Sequence, residues 1–531
     1  MRPVSSAWYP DTTAAMRVPR GRRASTARAA DAGGFELLVM DRAGRVVRET
    51  GGHHSALAQV DPPRPHEYDA RMLLRLRVKG FKNLRDVDIR FGPLTCFVGP
   101  NGVGKSNIFD AIQFLRYLAD DEFQRAAERV RGPASGSYSP VELFWRNDPA
   151  GQIELEADML VPLNAMDDFG QRVEPAISIV KYLVHFGFER EPRPRLVLRR
   201  EELTHIMKGK AEESIGFPHS ATFRESMVQG RRSGKAFIST IDESGQAVVV
   251  LHQDGGSRGR PVPAGPSPRT VLGGTSSADY PTVIAARREM SSWHALHLEP
   301  SSLRAPDRFG DPSSVDEHGR HIAATLERLS RATKSNGAVF QECTNRLAAL
   351  VPEIQMLRVE RDDVREQMVV QARMKGTSTW LGPRSLSDGT LRFLALVTMQ
   401  LDADSSRLLC MEEPENGIHP SRIPATIGVL RDYVVDAQFA VSADNPPRQM
   451  VLNSHSSEVI RQLDVPEILF VDTVHSPAGR EAVVRPIHAV GNWRKDANTV
   501  EIHQLEKLLG GSPISAELLQ RQLRLDFGSA T

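Results

Sequence analysis

Hydrophobic and polar positions first fall into register near Leu73. Leu73, Leu74, Leu76 and Val78 interleave with Arg75, Arg77 and Lys79, the alternation of a strand with one buried face. A second strand is expected over 87–91, after a turn around Lys82 and Asn83. Residues 94–98 form a short, continuous apolar run of the kind that suits a fully buried strand. A glycine-rich loop follows, and then a helix in which Ile108, Ile112 and Leu115 recur at i, i+4 and i+7, with Ala111 beside them. The middle of the chain, about 150–300, reads as short strands, for example 177–188 and 195–198, with a Gly/Ser/Pro-rich loop at 252–278. From 318 to 350 the period becomes helical. Ile322, Leu326 and Leu329 make one stripe, and Phe340, Cys343, Leu347 and Leu350 a second, both expected to face the core. No heptad pattern continues into an extended coiled coil, and no internal repeat is evident.

Composition narrows the class. The chain has 531 residues, about three domain equivalents at roughly 150 residues each. Lys+Arg of 67 against Asp+Glu of 66 leaves a net charge of +1, so nucleic-acid contact would need a local patch and not a global basic field. Arg231, Arg232 and Lys235, and the pair Arg287 and Arg288, are such clusters, although most charge pairs of this kind are solvated faces. Cys96, Cys343 and Cys410 lie far apart with no CxxC, which points to a reducing compartment and away from disulfides or structural zinc. No apolar run approaches the roughly 18 residues of a membrane helix, and a cytoplasmic location is expected. Residues 1–30 carry six arginines against one acid, Asp11; this composition is read as a disordered leader, or as sequence upstream of a start near Met72, in preference to a transit peptide.

The chemistry starts where the buried strand ends. Gly99-Pro100-Asn101-Gly102-Val103-Gly104-Lys105-Ser106 fits GxxxxGK[ST] at every fixed position, between a strand and a helix. Glycines let the backbone curl so that successive N–H groups face phosphate oxygens. Lys105 brings a positive charge to the β- and γ-phosphates, Ser106 supplies a hydroxyl for Mg²⁺, and the helix N-terminus adds its dipole. Asn107 follows within the same turn.

Such a loop needs an acid on a neighbouring strand to hold the metal and another group to orient water. Leu408-Leu409-Cys410-Met411 is an apolar strand ending in Glu412 and Glu413. Strand alternation would send the two side chains different ways, so Glu412 is assigned to the Mg²⁺ shell and Glu413 to the attacking water. Leu386-Ser387-Asp388-Gly389-Thr390 opens a helix that Ser387 can cap, with its hydroxyl and the Gly389 backbone available to an anion. Val451-Leu452-Asn453-Ser454-His455-Ser456 is a strand entering a polar turn, which places His455 to sense a γ-phosphate or help align water.

In that order, the P-loop, LSDGT, the EEPENGIHP run and NSHS resemble the soluble ABC-type ATPases of the RecF/SMC/OLD-like branch, of the phage-defence and genome-maintenance kind. The opening VKGFKNLRDVDIRFGPLTCFVGPNGVGKSNIFDAI resembles the same branch, in which the turn matching Lys82 and Asn83 approaches the nucleotide. The resemblance implies an α/β P-loop NTPase, an ABC-type head with a mixed central sheet and flanking helices, carrying a large inserted α+β lobe. It implies ATP and Mg²⁺ as cofactors and a homodimer that sandwiches ATP. In that sandwich Ser387 and Gly389 would meet the γ-phosphate held by the other subunit's Lys105, with Glu412 as Walker B acid, Glu413 as catalytic carboxylate and His455 as switch histidine. The expected organisation is a leader over 1–71, one half of the head over 72–150, the inserted lobe, β-rich and then helical, over 151–380, the second half over 381–480 and a helical extension over 481–531. Position 412 is Glu where many relatives have Asp, and LSDGT stands for LSGGQ; both variants are usual in OLD-like heads. No Q-loop glutamine is identified, Gln152 and Gln171 both lacking an adequate context.

Three functions compete. The first is an ATP-driven switch that gates DNA or a partner effector, such as a co-encoded nuclease, in phage defence or DNA repair. The second is the ATPase part of an OLD-type nuclease; the 76 residues after His455 (531 − 455) contain Asp472 but no DxD, so a fused Toprim domain is not expected. The third is an ABC transporter subunit, which the long segment at 150–380 disfavours, and no membrane partner is expected.

Overall fold

Three apolar runs, Leu94–Val98, Leu408–Glu412 and Gln449–Ser454, become the parallel centre of one sheet. A computed structural model describes residues 71–506, apart from 131–138, 231–235, 255–258, 333–336, 495–497 and positions 404, 406, 407, 478, 490, 491, 502 and 505. It also describes two strands further upstream, Leu38–Met40 and Val46–Arg48, which pair antiparallel as a hairpin of their own. The rest of the expected leader up to residue 70 lies outside the described residues, as do Arg231, Arg232 and Lys235.

The central sheet has six strands in the order Trp293–Leu296, Leu408–Glu412, Gln449–Ser454, Leu94–Val98, Ile468–Ser476 and Gly479–Pro486. The first five run parallel, and the last returns antiparallel as a hairpin. Because successive side chains point to opposite faces, these strands feed two cores at once. Phe97, Cys410 and Val451 enter one core, and Cys96, Val98, Leu409, Met411, Met450 and Leu452 the other. Burial on both faces is why these runs show no polar alternation.

On the first face lies the helix Lys105–Asp120, opened by the glycine loop. Its Phe109 meets Phe97 edge-on at 6.4 Å, while Phe114 stacks on Phe81 at 5.9 Å and reaches Phe186 at 5.8 Å. Phe81 and Phe186 belong to a second, eight-stranded antiparallel sheet, so the helix is held between the two sheets. That sheet runs in the order 259–263, 246–252, 238–243, 195–205, 179–189, 153–160, 72–81 and 84–90. The opposite face of the central sheet is covered by Ile322–Ala332, Ala338–Ala348, Asp388–Leu401 and Ile423–Tyr433. Ile322, Leu326, Cys343, Leu347 and Leu350 are buried there, whereas Leu329 and Phe340 of the same stripes are half-buried.

Three expectations change. The segment 151–380 is not a body apart: its strands extend the sheet begun by Met72–Phe81, and Trp293–Leu296 becomes the edge of the central sheet. The loop expected over 252–278 contains an edge strand, Gly259–Pro263, and a short helix, Val271–Gly274. The boundary at 480/481 falls inside the strand Gly479–Pro486, and residues 507–531 of the expected helical extension lie outside the described residues. Periodicity reports which residues form a strand, but pairing partners are set by contacts distant in sequence. Among the described residues no helix is long and apolar enough to cross a membrane.

Candidate functional site: a phosphate loop facing two carboxylates

The loop Gly99–Ser106 leaves the buried strand Leu94–Val98 and turns directly into the helix at Lys105. Gly99 lets it pass hard against the neighbouring strand: a Cβ there would lie 2.1 Å from the Val471 carbonyl oxygen. Gly104, at φ 115°, caps the helix, and a Cβ on it would meet the Asn83 side chain at 2.5–2.9 Å. Asn83 Nδ2 donates to the Val103 carbonyl at 2.9 Å, and Asn107 Nδ2 donates to Asn83 Oδ1 at 2.7 Å. Beside it Lys82 pairs with the buried Asp110 at 3.0 Å. The Lys82–Asn83 turn is thus a brace for the loop.

Lys105 is only 7% exposed. Its Nζ donates to the carbonyls of Gly99 at 2.7 Å and Pro100 at 2.8 Å. Burial pulls its pKa below the ordinary lysine value, and the negative charges of Glu413 and Glu412 oppose that pull.

Glu412 ends its strand in register with Asn453 on the next one. Glu413 lies one step beyond, in the left-handed region at φ 47°, a conformation that costs a non-glycine residue roughly 1 kcal/mol or more. Hydrogen bonds hold it there. The Glu413 N–H donates to the Asn453 carbonyl at 3.0 Å and lies 3.2 Å from Asn453 Oδ1. The Asn416 N–H closes the turn onto the Glu413 carbonyl at 2.9 Å. Asn416 Nδ2 donates to Glu413 Oε2 at 2.6 Å, and His455 Nδ1 lies 3.2 Å from Glu413 Oε1. Glu412 is the last residue of the strand, and Glu413 already belongs to the turn that follows it, not to the strand as expected from sequence. Both still line one cavity.

That cavity measures about 370 Å³. Asn101, Gly102, Gly104, Lys105, Ser106 and Asn107 line it together with Glu412, Glu413 and Asn453. Ser106 and Glu412 offer it a hydroxyl and a carboxylate, an all-oxygen donor pair of the type Mg²⁺ prefers. Pro100, Val103 and His455 do not line it; the Pro100 and Val103 carbonyls accept from Lys105 and Asn83, and His455 touches Glu413.

Ser387 caps the helix Asp388–Leu401 as expected, its Oγ accepting from Thr390 N at 3.2 Å. Neither Ser387 nor Gly389 lines the cavity. A Cβ on Gly389 would lie 3.5 Å from the Gly417 carbonyl, and Arg392 on the same helix donates to the Asn416 carbonyl. Gln152 bonds His185 on the antiparallel sheet, and neither it nor Gln171 lines the cavity. Arg287 and Arg288 share Asp168 as an ion-pair partner, at 2.7 and 2.8 Å. Asn453 and Asn416, which tie Glu413 in place, were not singled out from sequence. Their signal is faint, since an asparagine beside an acidic turn more often caps its own backbone.

Two family models match the chain. One, described as "AAA domain, putative AbiEii toxin, Type IV TA system", covers residues 287–461, and another, described as "AAA domain", covers 75–156. Among curated proteins, an OLD nuclease of Thermus scotoductus is 54% identical over 44 residues, 8% of this chain and 8% of that protein. The DNA replication and repair protein RecF of Phocaeicola vulgatus is 28% identical over 78 residues, 14% of this chain and 20% of RecF. RecF of Bacteroides thetaiotaomicron is 45% identical over 47 residues, 9% and 13%. Each match thus spans a fifth or less of the relative's length. Among solved structures, an SMC head bound to the C-winged helix domain of ScpA aligns at 14% identity and TM-score 0.40, covering 78% of this chain and 98% of that one. An SMC head domain from Thermotoga maritima aligns at 13% and 0.33, covering 78% and 99%.

Proposed function

We propose that this chain, an ABC-type P-loop protein of the RecF/SMC/OLD kind, binds ATP with Mg²⁺, hydrolyses it, and closes as a homodimer around it to switch a DNA or protein partner. The observation that carries this reading is the shared cavity: Lys105 and Ser106 face Glu412 and Glu413 across about 370 Å³ although some 300 residues separate them in sequence. A chance glycine-rich turn would not find two carboxylates there.

The curled loop presents N–H groups to the β- and γ-phosphates, and Lys105, released from the Gly99 and Pro100 carbonyls, neutralises their charge. Ser106 and Glu412 would hold Mg²⁺, which when bound offsets charge on the phosphate oxygens. Glu413 orients a water toward the γ-phosphorus. As the new P–O bond forms and the bond to ADP breaks, Glu413 takes the water proton, and His455, 3.2 Å away, keeps the carboxylate aimed. Since Ser387 and Gly389 stand outside their own subunit's cavity, they are assigned to the γ-phosphate of a second copy. The names of relatives matched over short segments, a DNA replication and repair protein and an OLD nuclease, support a partner of the DNA kind.

Phosphate release and size-exclusion chromatography with ATP test this together. Glu413→Gln should bind ATP, lose turnover by roughly 100-fold or more, and elute as an ATP-dependent dimer. Turnover by Glu413→Gln at the wild-type rate would refute the assignment.

A further inference from the structure

Two turns meet behind the carboxylates, and their junction includes an acid that the reaction described above does not use. Strand Gln449–Ser454 ends at a fully buried serine, and His455 follows immediately. Ser454 Oγ donates to Glu415 Oε1 at 2.6 Å and accepts from the Ser456 N–H at 3.0 Å. The hydroxyl is thus used in both directions, and the backbone is fixed on either side of His455. Glu415 sits two residues beyond Glu413, in the same turn that Asn416 closes.

Glu415 Oε2 is buried, with no hydrogen-bond partner among the described residues. Leaving one oxygen of a carboxylate in that state costs free energy.

We propose that Glu415 is a positioning residue: through Ser454 it fixes the turn that carries His455, and so sets the His455–Glu413 contact on which turnover depends. The inference rests on the ATPase reading above. Its geometry is a short chain, Glu415 to Ser454 to the His455 backbone, then imidazole to Glu413. None of the three links touches the phosphate loop directly, so nucleotide affinity and turnover should respond separately.

Steady-state kinetics on the full chain test it. Glu415→Ala and Ser454→Ala should each lower kcat by about 10–100-fold, the usual effect of removing a supporting contact, with KM for ATP changed by no more than about twofold. Glu415→Gln, which keeps an acceptor oxygen, should restore most of the rate. The double variant should be no slower than either single one, since both cut the same chain. Wild-type turnover by Glu415→Ala would overturn the inference, as would losses that multiply in the double variant. A wild-type chain that binds ATP without hydrolysing it would refute the ATPase reading. The inference is then read from the His455 imidazole NMR resonance, which Glu415→Ala should shift and Glu415→Gln should not. An unmoved resonance would overturn it.

Discussion

At Gly104 a single methyl group decides whether the phosphate loop closes. A Cβ would enter the space of the Asn83 amide at 2.5–2.9 Å, on a backbone at φ 115°. Gly104→Ala should therefore displace Asn83 from the Val103 carbonyl and weaken ATP binding at least about 10-fold, with roughly 1–3 kcal/mol lost from stability through strain. Titration with a fluorescent ATP analogue and urea denaturation check the two effects, and unchanged affinity would show that the brace is dispensable. Lys105→Ala should abolish binding more completely, because it removes the buried charge itself; retention of ATP at micromolar concentration in an equilibrium-binding measurement would contradict its role. GxxxxGK[ST] made these residues legible because each fixed position answers a local demand on backbone or charge. Glu413 was legible as an acid, but its conformation was not. The turn at φ 47° depends on Asn453, 40 residues away.

Between elements, a few buried polar side chains join strands that hydrophobic pattern alone leaves unconnected. Gln449, fully buried at the start of its strand, accepts from Leu73 N–H at 3.0 Å and donates to the carbonyls of Leu73 and Gly92, each at 2.9 Å. It ties the central sheet to the start of the antiparallel one. Gln449→Ala strips a partner from three buried backbone groups and should cost roughly 2–5 kcal/mol; urea denaturation measures this, and a loss under about 0.5 kcal/mol would argue against the clip. Glu201 does similar work in the antiparallel sheet, accepting from the N–H groups of Val271 at 2.6 Å and Leu272 at 2.8 Å. Complete burial outweighs those bonds and pushes its pKa up from 4.5 to about 7. Between those two values the folded chain holds the proton that the unfolded chain has lost. Stability from this group is therefore full below pH 4.5, falls as pH rises, and levels off above about 7. Denaturation midpoints across that window should slope less in Glu201→Gln than in the wild type; parallel slopes would reject the assignment. Strands were legible here from alternation and apolar runs. Their pairing was not, because one glutamine or glutamate carries little signal against the many that are solvated.

For the whole molecule, near-neutral charge suits a protein whose proposed closure draws its energy from ATP held between two copies. If the helix opened by Ser387 serves the other copy's nucleotide, Lys105→Ala and Ser387→Arg chains, each inactive alone, should recover a little turnover when mixed. No recovery at any ratio would place the signature elsewhere. A DNA partner is tested by ATPase rate: stimulation that disappears at high salt would indicate phosphate contacts, and a flat response would favour a protein partner. Arg287 and Arg288 are poor candidates for such contacts, since both are already paired with Asp168.

The sequence by itself determined the phosphate loop, the acidic strand end, the capped signature helix and the order in which they come. Each is a local matter, set by backbone freedom, by a two- or 3.6-residue period, or by the residue types a charge requires. Tertiary structure alone decided what those pieces face. It brought Lys105 opposite Glu412 and Glu413, wove 151–380 into both sheets, and joined Glu415 to Ser454 across 39 residues of chain. Such meetings arise when distant apolar faces share a core and the buried polar groups among them must find partners, a requirement met in space and only faintly recorded along the chain.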